Sequence, residues 1–214
     1  MTERNTPIEK CYDKLGPKVV ENLKRRHFDA YYCQTADEAK ELALSLIPEN
    51  DVVAWGGSVT LESLGILDAV KKTNPVIDRD SAATMEERMD LMRKALLCDT
   101  FLMSSNAISE DGQLFNIDGN GNRVAALVFG PKSVIVVAGM NKVAKTVEDA
   151  ESRARNVAAP FNAQRFNLTN PCSVNGSCAD CLSASSICAS MVRTRICRPA
   201  GKIKVVLVGE NLGF

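Results

Sequence analysis

The chain has 214 residues, enough for one large domain or for one domain with a small appendage. Its 26 lysines and arginines balance 26 aspartates and glutamates, so the charge gives no reason to expect binding to nucleic acid or to an anionic membrane. No apolar run approaches the roughly 20 residues of a membrane span, and the N-terminus lacks a secretory signal. We therefore expect a cytoplasmic protein without a membrane span.

The predicted elements alternate along the chain between helices and strands. Helical spacing of apolar residues covers residues 7–27, 36–47, 58–72, 84–97 and 146–159. Runs typical of strands cover residues 28–33, 52–55, 75–77, 100–104, 133–138 and 202–209. This alternation predicts an α/β fold with a mainly parallel sheet and flanking helices.

Two local signals modify this pattern. Gly16-Pro17 interrupts the first helical stretch and predicts a kinked helix or two short helices. The sequence from Asp118 to Gly121 is rich in turn residues and separates two strand-like runs, 114–117 and 124–129. It predicts one antiparallel hairpin added to the parallel sheet.

The composition changes at about residue 162, where a segment rich in serine, asparagine and cysteine begins. We expect an α/β domain over residues 1–161 and a Cys-rich excursion over residues 162–201. Residues 202–214 would then supply a final strand that returns to the α/β domain.

A candidate anion site lies in residues 51–65, where a short apolar strand is followed by Gly56-Gly57 and by the start of a helix. Ser58 is a suitable helix cap, and Thr60 adds a second hydroxyl in the first turn. Free N–H groups and the positive end of a helix dipole favour phosphate or carboxylate there. An ordinary strand-to-helix turn with a good cap explains the same pattern equally well.

Polar loops also follow the strands that end near residues 104 and 138. Ligands of open α/β sheets bind at the carboxyl ends of the strands. We therefore expect these loops to lie close to the candidate anion site that begins at Gly56. The candidate ligand-binding residues are Gly56, Gly57, Ser58, Val59, Thr60, Asn106, Asp111, Gly112, Asn122, Arg123, Gly139, Asn141 and Lys142.

The single histidine, His27, ends the first helical stretch, so mechanisms that need a histidine base have little support.

Five of the eight cysteines fall between residues 172 and 197. Four of them, Cys172, Cys178, Cys181 and Cys188, follow the spacing C-x5-C-x2-C-x6-C. In a reducing compartment such clustering points to a metal or a cluster rather than to disulfides, although free thiols remain the alternative. Zinc and an iron–sulfur cluster both accept four thiolates, so the ligand type leaves the metal open. Cys197 is expected to lie outside the ligand set.

The ordered motifs resemble those of the LUD (lactate-utilisation) domain family. They are the runs 56–61, 105–112, 116–119, 122–123 and 136–142, and the tail from Asn170 to Gly213 resembles a stand-alone subgroup with a C-terminal Cys-rich segment. The resemblance implies a fold like that of glucosamine-phosphate deaminase, ribose-phosphate isomerase and coenzyme A transferase. It also implies an association with iron–sulfur systems that oxidise lactate to pyruvate.

Two functions follow as expectations. In the first, the protein binds a small anionic metabolite, holds an iron–sulfur cluster and takes part in organic-acid oxidation with an iron–sulfur electron-transfer partner. In the second, it is a non-redox anion-binding or regulatory module with a structural zinc site. The sequence identifies neither the catalytic residues nor the oligomeric state, and it is compatible with a homo-oligomer.

Overall fold

The computed structural model describes residues 6–214. The α-helices are α1 (Pro7–Arg25), α2 (Ala36–Ser45), α3 (Val59–Ser63), α4 (Ile66–Thr73), α5 (Met85–Lys94), α6 (Asn122–Val128), α7 (Val147–Arg153), α8 (Ala159–Ala163) and α9 (Pro171–Asn175). The strands are β1 (Asp29–Cys33), β2 (Val53–Trp55), β3 (Val76–Ile77), β4 (Thr100–Met103), β5 (Ala107–Ser109), β6 (Leu114–Asp118), β7 (Ser133–Gly139), β8 (Val143–Ala144), β9 (Ser190–Thr194) and β10 (Ile203–Val208). Within this range no helix combines the length and the apolar character needed to cross a membrane.

The main sheet has six strands in the order β1-β10-β7-β4-β2-β3, and every neighbouring pair is parallel. This confirms the predicted α/β fold with a mainly parallel sheet. The last strand of the chain, β10, lies between β1 and β7 near the centre. Strands β7 and β10 are almost entirely apolar because both faces of a parallel sheet are covered.

Helices cover both faces of this sheet. On one face, Leu23 of α1 and Leu127 of α6 belong to the same apolar core as Val136 of β7. On the other face, Ala39 of α2 and Leu61 of α3 share a core with Val137. Because successive residues of a strand point to opposite faces, β7 contributes to both cores. The strands are thus fixed between two helical layers.

A second sheet has the order β8-β5-β6-β9. Strand β5 pairs parallel with β8 and antiparallel with β6, and β6 pairs antiparallel with β9. One face of this sheet packs on the long helical segment from α7 to α8 through Phe115, Ile117 and Ala150. The Cys-rich stretch ends in β9, so it is joined to the body of the molecule by a full strand.

The prediction of a hairpin around residues 118–121 is wrong. Residues 114–118 do form strand β6, but residues 122–128 form helix α6. The Asp118 carboxylate accepts hydrogen bonds from the backbone N–H groups of Arg123 and Val124, and Gly121 takes a left-handed conformation. The turn-rich residues therefore start a helix. The antiparallel hairpin is β5–β6, and its first strand lies in the polar loop that follows β4.

Three helices also differ from those predicted from the sequence. The stretch 58–72 is divided into α3 and α4 at Gly65, which has a φ of +63°. Helix α1 continues through Pro17 as one element. The helix expected to end at Pro160 continues to residue 163, because a π-helical turn at Ala154–Ala158 precedes the proline. Such a turn changes the hydrogen-bond spacing, which accommodates a residue without an N–H group.

Candidate functional site

The carboxyl ends of four adjacent strands, β10, β7, β4 and β2, meet at one edge of the main sheet. A cavity of about 940 Å³ opens there, which we call the strand-end cavity. Eight of the predicted ligand-binding residues line it: Gly57, Ser58, Val59, Thr60, Asn106, Asn122, Arg123 and Lys142. Its outer wall is the continuous segment 181–189 of the Cys-rich region.

The turn between β2 and α3 forms one side of the strand-end cavity. The Ser58 hydroxyl accepts a hydrogen bond from the backbone N–H of Leu61 at 3.3 Å and so caps the helix, as expected. Helix α3 has only five residues, so its dipole is small. The cations around this turn consequently contribute more than the helix to the attraction of an anion.

Lys142 is the first of these cations. It follows β7 in a short 3-10 turn, its residue is 3% exposed, and it lines the cavity. Its Nζ donates to the hydroxyl oxygens of Thr60 at 3.1 Å and Ser104 at 3.0 Å. Burial, followed by the charges of Arg153 and Arg123, lowers the pKa of Lys142 to about 7. This lysine is therefore divided between its charged and neutral forms near neutral pH.

Arg79 is the second cation, and no sequence pattern predicted its place in the site. A Cβ built on Gly57 would lie 2.7 Å from Arg79 Nη2, so the guanidinium lies directly over this glycine. The Nε atom is buried and has no hydrogen-bond partner; the Asp80 carboxylate is 3.7 Å away. Burial lowers the pKa of Arg79 from its usual value. An anion at Gly57 would supply a partner for this side chain.

Arg123 lines the cavity, but its hydrogen bonds go to the protein. Nη1 donates to the backbone oxygen of Ser104 and to Asn116 Oδ1, and Nη2 donates to Asn106 Oδ1 and to the backbone oxygen of Ile117. Asn106 Oδ1 also accepts from the backbone N–H of Ile117. These two predicted ligand residues thus join the end of β4 to β6, and Arg123 adds positive charge to the cavity.

Five predicted residues do not line the cavity. Asp111 forms an ion pair with Arg26 at 2.5 Å, and Gly112 packs against the backbone of α1, where a Cβ would be 2.6 Å from the carbonyl carbon of Asn22. Gly56 packs against the Arg123 side chain. Gly139 and Asn141 lie under the C-terminal segment, residues 209–214.

The C-terminal segment covers the inner end of the cavity. Asn141 Oδ1 accepts a hydrogen bond from the backbone N–H of Leu212 at 3.1 Å. Gly213 lies against Thr60 and Lys142: a Cβ there would be 2.6 Å from Thr60 Oγ1 and 3.4 Å from Lys142 Nζ. The absence of a side chain at position 213 therefore leaves space beside the lysine.

The four cysteines predicted as metal ligands line a second, smaller cavity of about 150 Å³, which we call the thiol cavity. Cys172, Cys178, Cys181 and Cys188 are all partly buried. Burial and the nearby thiolates of the other three cysteines raise the pKa of Cys188. Among residues 6–214, no three His, Cys, Asp or Glu side chains are arranged so as to hold a metal ion as they stand.

The two cavities share a wall. Cys181, Leu182, Ser186, Ile187 and Cys188 line both. Cys197, in contrast, is 1% exposed and belongs to the core under the main sheet, where its sulfur accepts a hydrogen bond from the backbone N–H of Ile203. It does not line the thiol cavity.

Sequence reasoning missed three contributors to the strand-end cavity. Ser104 is the last residue of a predicted strand, so its place at the sheet edge could have been inferred from the sequence. Arg79 and Arg165 lie in stretches without helical or strand periodicity, and both reach the cavity only through the fold. No pattern in the sequence shows that residues 181–189 form its wall.

Comparison with known proteins agrees with this architecture. A family model for the LUD domain matches residues 16–208. The fold is similar to the crystal structure of a DUF162 family protein from Deinococcus radiodurans, with a TM-score of 0.53 at 10% sequence identity. That similarity covers 92% of this chain and 97% of the other. No curated protein sequence matches the chain.

Proposed function

From the chain's membership of the LUD domain family, to which it belongs over residues 16–208, we propose a specific role for its two cavities. Family membership itself supports a role associated with lactate utilisation. The protein binds a small organic acid in the strand-end cavity and holds an iron–sulfur cluster in the thiol cavity. Held there by the four cysteines, the cluster would supply an electron acceptor for oxidation of the acid.

One observation carries this proposal: the segment 181–189 forms a wall of the strand-end cavity, and its two cysteines also line the thiol cavity. An acid bound on one side of this segment and a redox group bound on the other are therefore separated by little more than one layer of chain. This arrangement suits electron transfer better than two sites on opposite faces of a molecule would.

The strand-end cavity has suitable groups for a carboxylate. Arg79 has a buried Nε atom without a hydrogen-bond partner and lies over Gly57, which has no side chain to block an approaching anion. A carboxylate there would gain charge-assisted hydrogen bonds from the guanidinium. Lys142, with Thr60 and Ser104 beside it, would contact the oxygen on the neighbouring carbon of a 2-hydroxy acid.

The thiol cavity fits a cluster of several atoms. Its volume of about 150 Å³ is many times the roughly 10–15 Å³ that a cavity needs, by the same measure, to hold one water. A structural zinc ion would require all four sulfurs about 2.3 Å from a single centre, and therefore closure of most of this space. Bound in this cavity, an iron–sulfur cluster would supply a one-electron acceptor held by the four cysteine sulfurs. Oxidation of one 2-hydroxy acid to the 2-oxo acid releases two electrons and two protons, so each acid would reduce the clusters of two protein molecules and the protons would pass to solvent.

The test is anaerobic purification of the whole chain, with iron, sulfide and zinc measured and the visible spectrum recorded before and after lactate is added. We expect iron and sulfide in the protein, visible absorption, and a loss of that absorption when lactate is added. A colourless protein with stoichiometric zinc would overturn the redox proposal and favour the non-redox module with a structural zinc site.

A further inference from the structure

We propose that Lys142 is a nucleophile that forms an imine with 2-oxo acids bound in the strand-end cavity. The inference rests on the proposed function, because the same cavity must first hold the carboxylate of the acid. It goes further in assigning a covalent step to one side chain and in naming the carbonyl compounds that this side chain selects.

The position of Lys142 suits this role. Its Nζ reaches the strand-end cavity from the end of β7, and its two hydrogen bonds go to hydroxyl groups rather than to a carboxylate. Gly213 packs beside the amine, and a side chain at that position would come within 3.4 Å of Nζ. The amine is therefore held in place by groups that do not lock it in the charged form, and space beside it is kept open.

The charges around Lys142 favour the neutral amine. Arg123 from α6 and Arg153 from α7 are the charged groups that act on it, and both lower its pKa in addition to the effect of burial. The groups that contact it from α3 and from the end of β4 are the hydroxyls of Thr60 and Ser104. Lysines that are desolvated and placed beside other cations are the ones that become nucleophilic near neutral pH.

The cavity also provides a second contact at a suitable spacing. Arg79 lies over Gly57 and Lys142 contacts Thr60, three residues further along the same turn. Gly57 directly precedes the Ser58 cap of α3, Thr60 lies in the first turn of that helix, and Arg79 and Lys142 line the same cavity. A small acid that carries its carbonyl next to its carboxylate can therefore place the carboxylate at Arg79 and the carbonyl carbon at Lys142.

The reaction balances without an added oxidant or reductant. The lone pair of Nζ forms a bond to the carbonyl carbon, and the carbon–oxygen π electrons move to the oxygen, which takes up a proton. The hydroxyls of Thr60 and Ser104 are in reach to donate hydrogen bonds to that oxygen as it becomes negative. Loss of one water molecule and one proton from nitrogen then leaves the imine.

The experiment is reductive trapping. The full-length protein is incubated with pyruvate and cyanoborohydride, digested, and analysed by peptide mass spectrometry, while calorimetry measures the binding of lactate, which has no carbonyl. We expect one modified peptide, the one that contains Lys142, and loss of the modification in Lys142→Met. If that variant does not fold, the peptide map of the wild-type protein still identifies the modified lysine.

Lys202 is the matched control within the same chain. It is also buried, and burial lowers its pKa, but it donates to the backbone oxygens of Leu127 and Val128 and does not line the cavity. We expect no adduct on Lys202, and an unchanged adduct on Lys142 in Lys202→Met.

Three outcomes decide between the two proposals. A single adduct on Lys142 supports the imine. Binding of lactate with no adduct, or with adducts spread over the exposed lysines, overturns the imine and leaves the proposed function standing. Absence of binding by both lactate and pyruvate overturns the proposed function, and the imine with it.

Discussion

Cys181 and Cys197 share a residue type and a region of the sequence, but the structure gives them different surroundings. Cys181 is partly buried and lines both cavities. Cys197 is buried in the core below the main sheet, and its sulfur lies 3.2 Å from the backbone oxygen of Pro199. One sulfur is therefore available to a metal, and the other is part of the packing.

We predict that Cys181→Ser lowers the metal content of the anaerobically purified protein sharply and that Cys197→Ser does not. A hydroxyl is a poor substitute for a thiolate ligand, whereas the Cys197 sulfur is buried and hydrogen-bonded to the backbone of Pro199 and Ile203. Metal analysis of the two variants beside the wild-type protein makes the comparison. Equal losses in both variants would contradict this ligand assignment.

The separation of the cysteines shows how far residue-level reasoning reaches. The C-x5-C-x2-C-x6-C spacing was sufficient to choose the four residues that line one cavity, because short loops must keep their ends close together. The same reasoning could not find Arg79. Its side chain reaches Gly57 only because the turn at Arg79–Ser81 lies beside the end of β2, and that contact depends on the order of the strands.

Among the elements, the second sheet is fixed to the first in part by the side chain of Arg123. Arg123, in the first turn of α6, contacts the end of β4 and the strand β6 through four hydrogen bonds. Two of the four acceptors are backbone oxygens, which a folded protein leaves unpaired only at a cost. Its main role is therefore to join elements.

We predict that Arg123→Met lowers the free energy of unfolding by on the order of 3 kcal/mol, because four acceptors lose a charged donor. Urea denaturation measures the change. Arg93→Met is the matched control: Arg93 is an exposed side chain of α5 paired with Asp90, and its loss should change the free energy of unfolding by less than about 1 kcal/mol. Similar effects of the two substitutions would contradict the role given to Arg123.

Short elements limited the sequence analysis at this scale. Strand β5 has three residues, too few for an alternating pattern to be recognised, and it lies in a loop-like sequence. The turn residues before α6 are equally suited to a hairpin, and only the capping contacts of Asp118 distinguish the two structures. Long apolar runs such as β7 and β10 were predicted correctly because burial on both faces leaves a clear signal.

At the scale of the whole molecule, burial of Lys142 at the sheet edge affects stability as a function of pH. Its folded pKa of about 7 lies below the ordinary value of 10.5. Between these values the unfolded chain holds a proton that the folded chain has released, so the free energy of unfolding contributed by this lysine rises with pH. The destabilising effect of its burial is complete below about pH 7.

We predict that the wild-type protein gains stability relative to Lys142→Met as the pH rises from 7 to 9. The difference between their free energies of unfolding should rise by up to about 1.4 kcal/mol per pH unit. Urea denaturation of both proteins at several pH values measures the difference. Burial also raises the pKa of the Cys33 and Cys98 thiols, but both proteins contain them, so their effects cancel. Parallel pH profiles would contradict a lowered pKa for Lys142.

The position of the strand-end cavity follows from the order of the strands. Strands β2, β4, β7 and β10 are neighbours, so loops that are far apart in sequence meet at their carboxyl ends. Alternation of strands and helices was sufficient to predict that such an edge exists. It could not predict that β10 lies beside β7, and therefore that the C-terminal segment covers Lys142.

The central claim is that a small organic acid binds in the strand-end cavity at Gly57. Titration calorimetry with lactate on the wild-type protein and on Gly57→Ala tests it most directly, because the added methyl group meets the flexible end of Arg79 and leaves the fold intact. Lys132→Ala, a change at an exposed lysine paired with Asp99, is the control. We expect binding by the wild-type protein and by Lys132→Ala, and affinity at least about tenfold lower, or 1.4 kcal/mol, in Gly57→Ala. Equal affinity in all three proteins, or no binding by the wild-type protein, would contradict the claim.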